Sequence, residues 1–127
     1  MKENYRSIQY KGETYKIALN LNVWQTIQKK YGSFQHWSDI TTGPETDSET
    51  DSETNSTFEP DIEAVIFGIR EMINEGIDID NEENKTDRPF MTDKQIGRLL
   101  TEVGLNNVLT AMEQTMIDAS QTGEGNA

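Results

Sequence analysis

The chain has 127 residues, with 23 Asp and Glu against 11 Lys and Arg, one His and no Cys. That length fits one domain, and the missing cysteines exclude disulfides, thiolate metal sites and thiol nucleophiles, while one histidine excludes a multi-His metal centre. A net charge of −12 argues against nucleic-acid phosphate and anionic membrane surfaces as partners.

Residues 5–10, YRSIQY, alternate, with Arg6, Ile8 and Tyr10 on one face. Lys11-Gly12-Glu13 supplies a turn, and residues 14–19, TYKIAL, alternate again with Tyr15, Ile17 and Leu19 together. Two period-2 runs around a short glycine turn predict a β-hairpin with one half-buried face, which needs other elements to cover it. Asn22 is expected to cap a first helix carrying Val23, Trp24, Ile27 and Tyr31, with Lys29 and Lys30 in its last turn and Gly32 ending it. Ser33 then caps a short helix, Phe34 to Ile40, with Phe34, Trp37 and Ile40 on one face.

Residues 41–57, TTGPETDSETDSETNST, contain a near-repeat and no aliphatic or aromatic side chain. Nothing there offsets the ~1–2 kcal/mol per residue of backbone ordering entropy, so a disordered acidic linker is expected. The charge is concentrated around it. Residues 1–40 are net +3, residues 41–90 are net −12 and residues 91–127 are net −3. Setting such polar stretches aside also accounts for an apolar fraction of only 33%.

Pro60 and Asp61 open a third helix, striped with Ile62, Val65, Ile66, Ile69, Met72 and Ile73, and Gly76 is expected to end it. Residues 77–88, IDIDNEENKTDR, read as a long acidic loop. Thr92 to Gln95 form a capping box for a fourth helix with Ile96, Leu99, Leu100 and Val103 inward and Gly104 as its stop. Asn106 is placed as cap of a last helix with Leu109, Met112, Met116 and Ile117 inward and Val108 flanking, before a flexible polar tail at 120–127. The expected fold is a single α+β domain, mostly helical, with the N-terminal hairpin packed on a cluster of about five helices.

No reaction emerges from these residues. His36 stands near Asp39 without a nucleophile in an activating context. Asp78, Asp80 and Glu82 mimic the first ligands of a calcium loop, but Glu83 replaces the required Gly and Pro89 the bidentate Glu. Glu71 and Glu75, at i and i+4, could span an acid–base pair, yet such spacing is ordinary on a solvated helix. There is no phosphate-cradling glycine motif. No enzyme activity, cofactor or metal is therefore expected. The short N-terminal run lacks an apolar core and no apolar run reaches the ~18 residues of a membrane span, so a soluble intracellular product is expected. A small domain with large aromatics and several methionines suits a chain that holds another protein. If it has such an interface, Trp24, Phe34 and Trp37, or Leu100, Met112 and Met116, are its candidate anchors.

The order of these motifs resembles the tail assembly chaperones of long non-contractile-tailed phages of Gram-positive hosts. Ile8, Tyr10, Gly12, Tyr15 and Ile17 match that family's opening hairpin, and Lys30-Tyr31-Gly32-Ser33-Phe34 the end of its first helix. DIEAVIFGIREMINEG matches its apolar helix, Met91-Thr92 with Ile96-Gly97 and Leu99-Leu100 its next segment, and LNNVLTAMEQTMIDA its last. The resemblance spans nearly the whole chain except the 41–57 linker, which is longer and more acidic than the family's. It implies a non-enzymatic chaperone in the host bacterial cytoplasm that binds and solubilises the tape measure protein until tail tube subunits displace it. The tail tube protein and a second copy of the chain are further candidate partners; nucleic acid and membrane are not. The competing reading is a small acidic adaptor or regulatory protein that binds a basic protein.

Overall fold

The computed structural model describes residues 5–43 and 59–125, with side chains to residue 119. It is α+β and mostly helical, a two-stranded hairpin lying on five helices. β1 (Arg6–Tyr10) and β2 (Glu13–Ile17) pair antiparallel with Ile8 opposite Tyr15 and Tyr10 opposite Glu13. The connection is two residues, Lys11 at φ 52° and Gly12 at φ 78°, both in the positive-φ region that matches the twist of a tight hairpin. Ile8, Tyr10 and Ile17 are buried beneath it, β2 against the third helix and β1 against the last two.

α1 (Leu21–Tyr31) begins two residues earlier than expected. Asn20, not Asn22, is its cap, with the side-chain oxygen accepting from the Val23 amide at 3.2 Å. Asn20 and Asn22 both donate to Glu75, at 2.8 and 3.3 Å, so Asn22 serves the contact with a neighbouring helix. Gly32, at φ 90°, ends α1, and its N–H donates to the Gln28 carbonyl. Ser33 caps α2 (Phe34–Thr42) as expected, accepting from the His36 amide. The helix reaches into the stretch assigned to the linker, because Thr41 is fully buried and donates its hydroxyl to the Trp37 carbonyl at 2.8 Å. Residues 44–57 of that linker lie outside the described residues.

α3 (Ile62–Asn84), capped by Asp61, is the spine. It does not stop at Gly76, and the expected acidic loop from residue 77 is helical to residue 84. The stripe continues through buried Ile77, and Gly76 serves close packing instead of termination. A Cβ there would stand 2.5 Å from the Lys16 carbonyl oxygen. The approach lets the Ala18 amide donate to the Met72 carbonyl at 3.1 Å, tying the hairpin's exit to the middle of the helix. Asp80 bonds Lys16 at 2.7 Å and lies 4.0 Å from Arg88, which also reaches Glu13 and covers the Tyr15 ring. These residues clamp the helix end to the hairpin.

Two asparagines, 74 and 81, hold the connection that follows. Each gives its amide N–H to a main-chain carbonyl and accepts the N–H of the same residue, Met91 and Arg88 respectively, at 2.8–3.1 Å. α4 (Asp93–Val103) opens with the full Thr92–Gln95 capping box and ends at Gly104. α5 (Leu105–Gly125) follows at once, the Gly104 carbonyl accepting from Val108, so Asn106 is an exposed helical residue and not a cap. The helix also runs past Ser120; no proline interrupts it and its first glycine is Gly123. Its buried face is rotated by one residue from the expected stripe. Val108, Met112 and Thr115 are buried, Leu109 and Met116 are half-buried, and Ile117 is 47% exposed.

Candidate protein-binding site

The six anchors expected from the sequence do not share one standing. Trp37, Leu100 and Met112 belong to the core. Trp37 is 0% exposed, and its indole N–H donates to the Ala64 carbonyl at 2.9 Å. It fits because Gly68 of α3 has no side chain: a Cβ there would stand 2.7 Å from the indole Cε2 and closer still to Cζ2. A buried indole needs such a partner for its N–H and such a space for its rings. Trp37, Leu100 and Met112 therefore offer no surface to a partner.

Trp24 and Phe34 do. Their rings stack at 4.1 Å with planes 13° apart, across the junction of α1 and α2. Phe34 also leans on Trp37 at 5.2 Å, so the outer stack is anchored on the core. Trp24 is 38% exposed and Leu21, one turn earlier, is 81% exposed. Leu21, Trp24 and Gln28 stand at i, i+3 and i+7, one face of α1. Met116 is half-buried on α5, packed against the core. Leu21 was missed as an anchor; its spacing from Trp24 was the available signal.

Several carboxylates of α2 and α3 accept hydrogen bonds from neutral groups. Glu75 is held by Asn20 and Asn22, Asp39 accepts from Gln35 at 2.9 Å, and Asp61 caps α3. Lys30 lies over Tyr31 and Phe67, and Arg70 covers Phe67 at 5.2 Å, the same distance as Lys30. Burial raises the Tyr31 phenol above its ordinary range, with Asp61 and Glu63 adding to the effect. Arg70 is held more firmly protonated by its hydrogen bond to Glu71, helped by Asp93, which outweighs its partial burial. On the far side, Arg6 holds the Asp118 carboxylate below its ordinary range through a 2.8 Å hydrogen bond.

His36 is exposed on α2, while Asp39 beside it accepts from Gln35. Asp78, Asp80 and Glu82 are helical, not looped. Glu71 is paired with Arg70. Among the described residues no three His, Cys, Asp or Glu side chains are grouped to hold a metal ion. No helix of the described residues is long and apolar enough to cross a membrane. An open groove of about 760 Å³ runs between α3 and residues 90–94, bordered by Asn74, Asp78, Phe90 and Lys94. No protein-family model, no curated protein sequence and no solved structure matches the chain.

Proposed function

We propose that the chain is a phage or prophage tail assembly chaperone that binds and solubilises the tape measure protein during tail tube assembly in the host bacterial cytoplasm. The observation that carries this reading is the Trp24–Phe34 stack with exposed Leu21 beside it. An exposed leucine beside a partly exposed tryptophan that stacks on half-buried Phe34 matches what a hydrophobic helix needs for docking. The order of sequence motifs supports the same reading: a hairpin, the KYGSF turn between two helices, and three further helices. The protein works here by shape and solubility alone, without chemistry.

The test is co-expression with the tape measure protein of the same genome. The soluble fraction of that client should rise with the wild-type chain and fall back with Trp24→Ala; a client equally insoluble with and without the chain refutes the proposal. The second reading, an acidic adaptor for a basic protein, draws on the acidic middle of the sequence, where residues 41–90 are net −12. It requires salt-sensitive binding that weakens when Asp47, Glu49, Asp51 and Glu53 are neutralised. The chaperone reading requires client binding to survive deletion of residues 43–56.

A further inference from the structure

Among the described residues, one edge of the two-stranded sheet is left without hydrogen-bond partners. The two-residue connection makes Tyr10 and Glu13 a hydrogen-bonded pair, and the register carries that pattern to Ile8 with Tyr15 and Arg6 with Ile17. The main-chain groups of Thr14 and Lys16 therefore point away from β1, and those of Ser7 and Gln9 away from β2. On the β2 side α3 closes the edge, the Lys16 carbonyl oxygen lying where Gly76 leaves room for it. On the β1 side no hydrogen bond from the described residues reaches the main-chain N–H or C=O of Ser7 or Gln9, and both residues are exposed. α5 meets β1 from beneath: Arg6, on the same face as buried Ile8 and Tyr10, bonds its Asp118 at 2.8 Å. Open edges are ordinarily guarded by proline, a bulge or a projecting charge. Residues 5–17 contain no proline, and the pairing runs without a bulge. The cations of the hairpin are drawn elsewhere, Arg6 to Asp118, Lys16 to Asp80 and Lys11 over the Tyr10 ring. The side chains of Ser7 and Gln9 are neutral, and Gln9 donates to the Thr14 hydroxyl at 2.8 Å.

From this unguarded edge we infer that β1 pairs antiparallel with β1 of a second copy of the chain, about a two-fold axis beside Ile8. With Ser7 of one copy opposite Gln9 of the other, the N–H and C=O of each meet the C=O and N–H of its opposite, so the edge satisfies itself. The same register sets Arg6 opposite Tyr10 and Lys11 opposite Tyr5, so no like charges face each other across the junction. The pairing also closes. α3 blocks the other edge of each hairpin, so association stops at two copies instead of extending into a fibre. The contact is short and a chain of net charge −12 repels its copy, so the dimer is weak, with Kd on the order of 0.1 mM, and it strengthens as salt screens the repulsion. This inference does not depend on the client-binding reading, which uses the separate Leu21–Trp24–Phe34 face.

The experiment follows the full chain by sedimentation velocity and amide hydrogen exchange over about 0.01–1 mM, a range that brackets that Kd. Sedimentation should show a monomer passing to a dimer and no larger species. Exchange at the Ser7 and Gln9 amides should slow by about fourfold across the range, as the monomer fraction falls by mass action. The Ile8 and Tyr10 amides, already bonded within the hairpin, should change little. Ser7→Pro removes an N–H that no strand of the monomer uses, a placement an edge strand tolerates, and should abolish the dimer. Ser7→Lys restores a charged guard and should weaken it; a circular dichroism melt checks the fold of both variants, and Ser7→Lys carries the test if the proline variant unfolds. A chain still monomeric at the top of the range overturns the inference, as does open-ended polymerisation. So does a dimer whose Ser7 and Gln9 amides exchange at the monomer rate, one that loosens in high salt, or one that either folded variant leaves intact.

Discussion

Replacing Gly76 with alanine tests the reading of that residue as a point of contact. In an exposed helix interior Gly→Ala gains about 1 kcal/mol from helix propensity. Here the new methyl would meet main chain. Its carbon would stand 2.5 Å from the Lys16 carbonyl oxygen, 3.0 Å from the Lys16 Cβ and 3.1 Å from its carbonyl carbon. An ordinary contact is about 3.5–4.0 Å, so β2 must retreat by roughly 1 Å. A backbone oxygen within a paired strand cannot swing aside as a side chain can. Retreat breaks the Ala18–Met72 hydrogen bond, worth about 0.5–1.5 kcal/mol, and adds the roughly 1–3 kcal/mol typical of overpacking. Against the propensity gain, the net loss is about 2 kcal/mol, or roughly 10 °C in Tm for an ordered part of this size. Urea denaturation gives the energy, and hydrogen exchange at the Ala18 amide shows where it arises. Gly97→Ala is the control, since a Cβ there meets nothing within 4 Å and should stabilise by up to about 1 kcal/mol. Equal effects at the two positions, or a Gly76→Ala variant with an unchanged Ala18 exchange rate, would refute the reasoning.

The other contacts give shorter tests. Gly68→Ala should cost about 2–3 kcal/mol by displacing the Trp37 indole, and a Trp37→Phe background should absorb part of that cost in a double-mutant cycle. Asn20→Ala should lose about 1 kcal/mol in urea midpoints as the true cap of α1, and Asn22→Ala markedly less. Asn74→Ala should speed amide exchange at Met91 far more than at Arg88, which Asn81 holds, and the reverse should be seen for Asn81→Ala. In an alkaline titration followed at 295 nm, the step missing from Tyr31→Phe should lie above the ordinary phenol value of 10.0. Because that pKa is raised in the folded protein, the associated stability is present below pH about 10 and is lost as pH climbs through the folded value.

Much of the architecture was legible because local signals and tertiary structure agree. The alternation around Lys11-Gly12 is a hairpin, Ser33 and Thr92 cap their helices, and Gly32 and Gly104 end theirs. The errors share one cause. Gly76 carries the same local signal as Gly32, and Asp78–Asp80–Glu82 the same as a solvated loop. What sets them apart is non-local: the path of β2 over α3, and Lys16 and Arg88 waiting to receive Asp80. The one-residue rotation of α5 has a similar origin. Leu109 and Ile117 are the better hydrophobes, yet the hairpin and α4 meet the helix on the side of Val108, Met112 and Thr115.

The two tryptophans show how far such reasoning reaches into function. Thirteen residues apart, each begins as a large aromatic on an amphipathic helix, and sequence alone gives them the same prospects as core or anchor. Trp37 goes inside because α3 provides the two things an indole requires, room at Gly68 and an acceptor at Ala64. Trp24 finds neither. It stays 38% exposed and settles for stacking on Phe34 of α2, which also touches Trp37. The buried tryptophan thus acts as the footing for the exposed one: it fixes Phe34, and Phe34 fixes Trp24. A rigid, preoriented aromatic binds a partner with less conformational entropy to lose than a free one. Weakening the footing should therefore weaken the surface. Trp37→Phe, even where the fold persists, should broaden the exposed Trp24 fluorescence lifetime distribution and lower client affinity without touching a single exposed atom. An unaltered Trp24 environment in that variant would separate surface from core and leave the aromatic face without its proposed support.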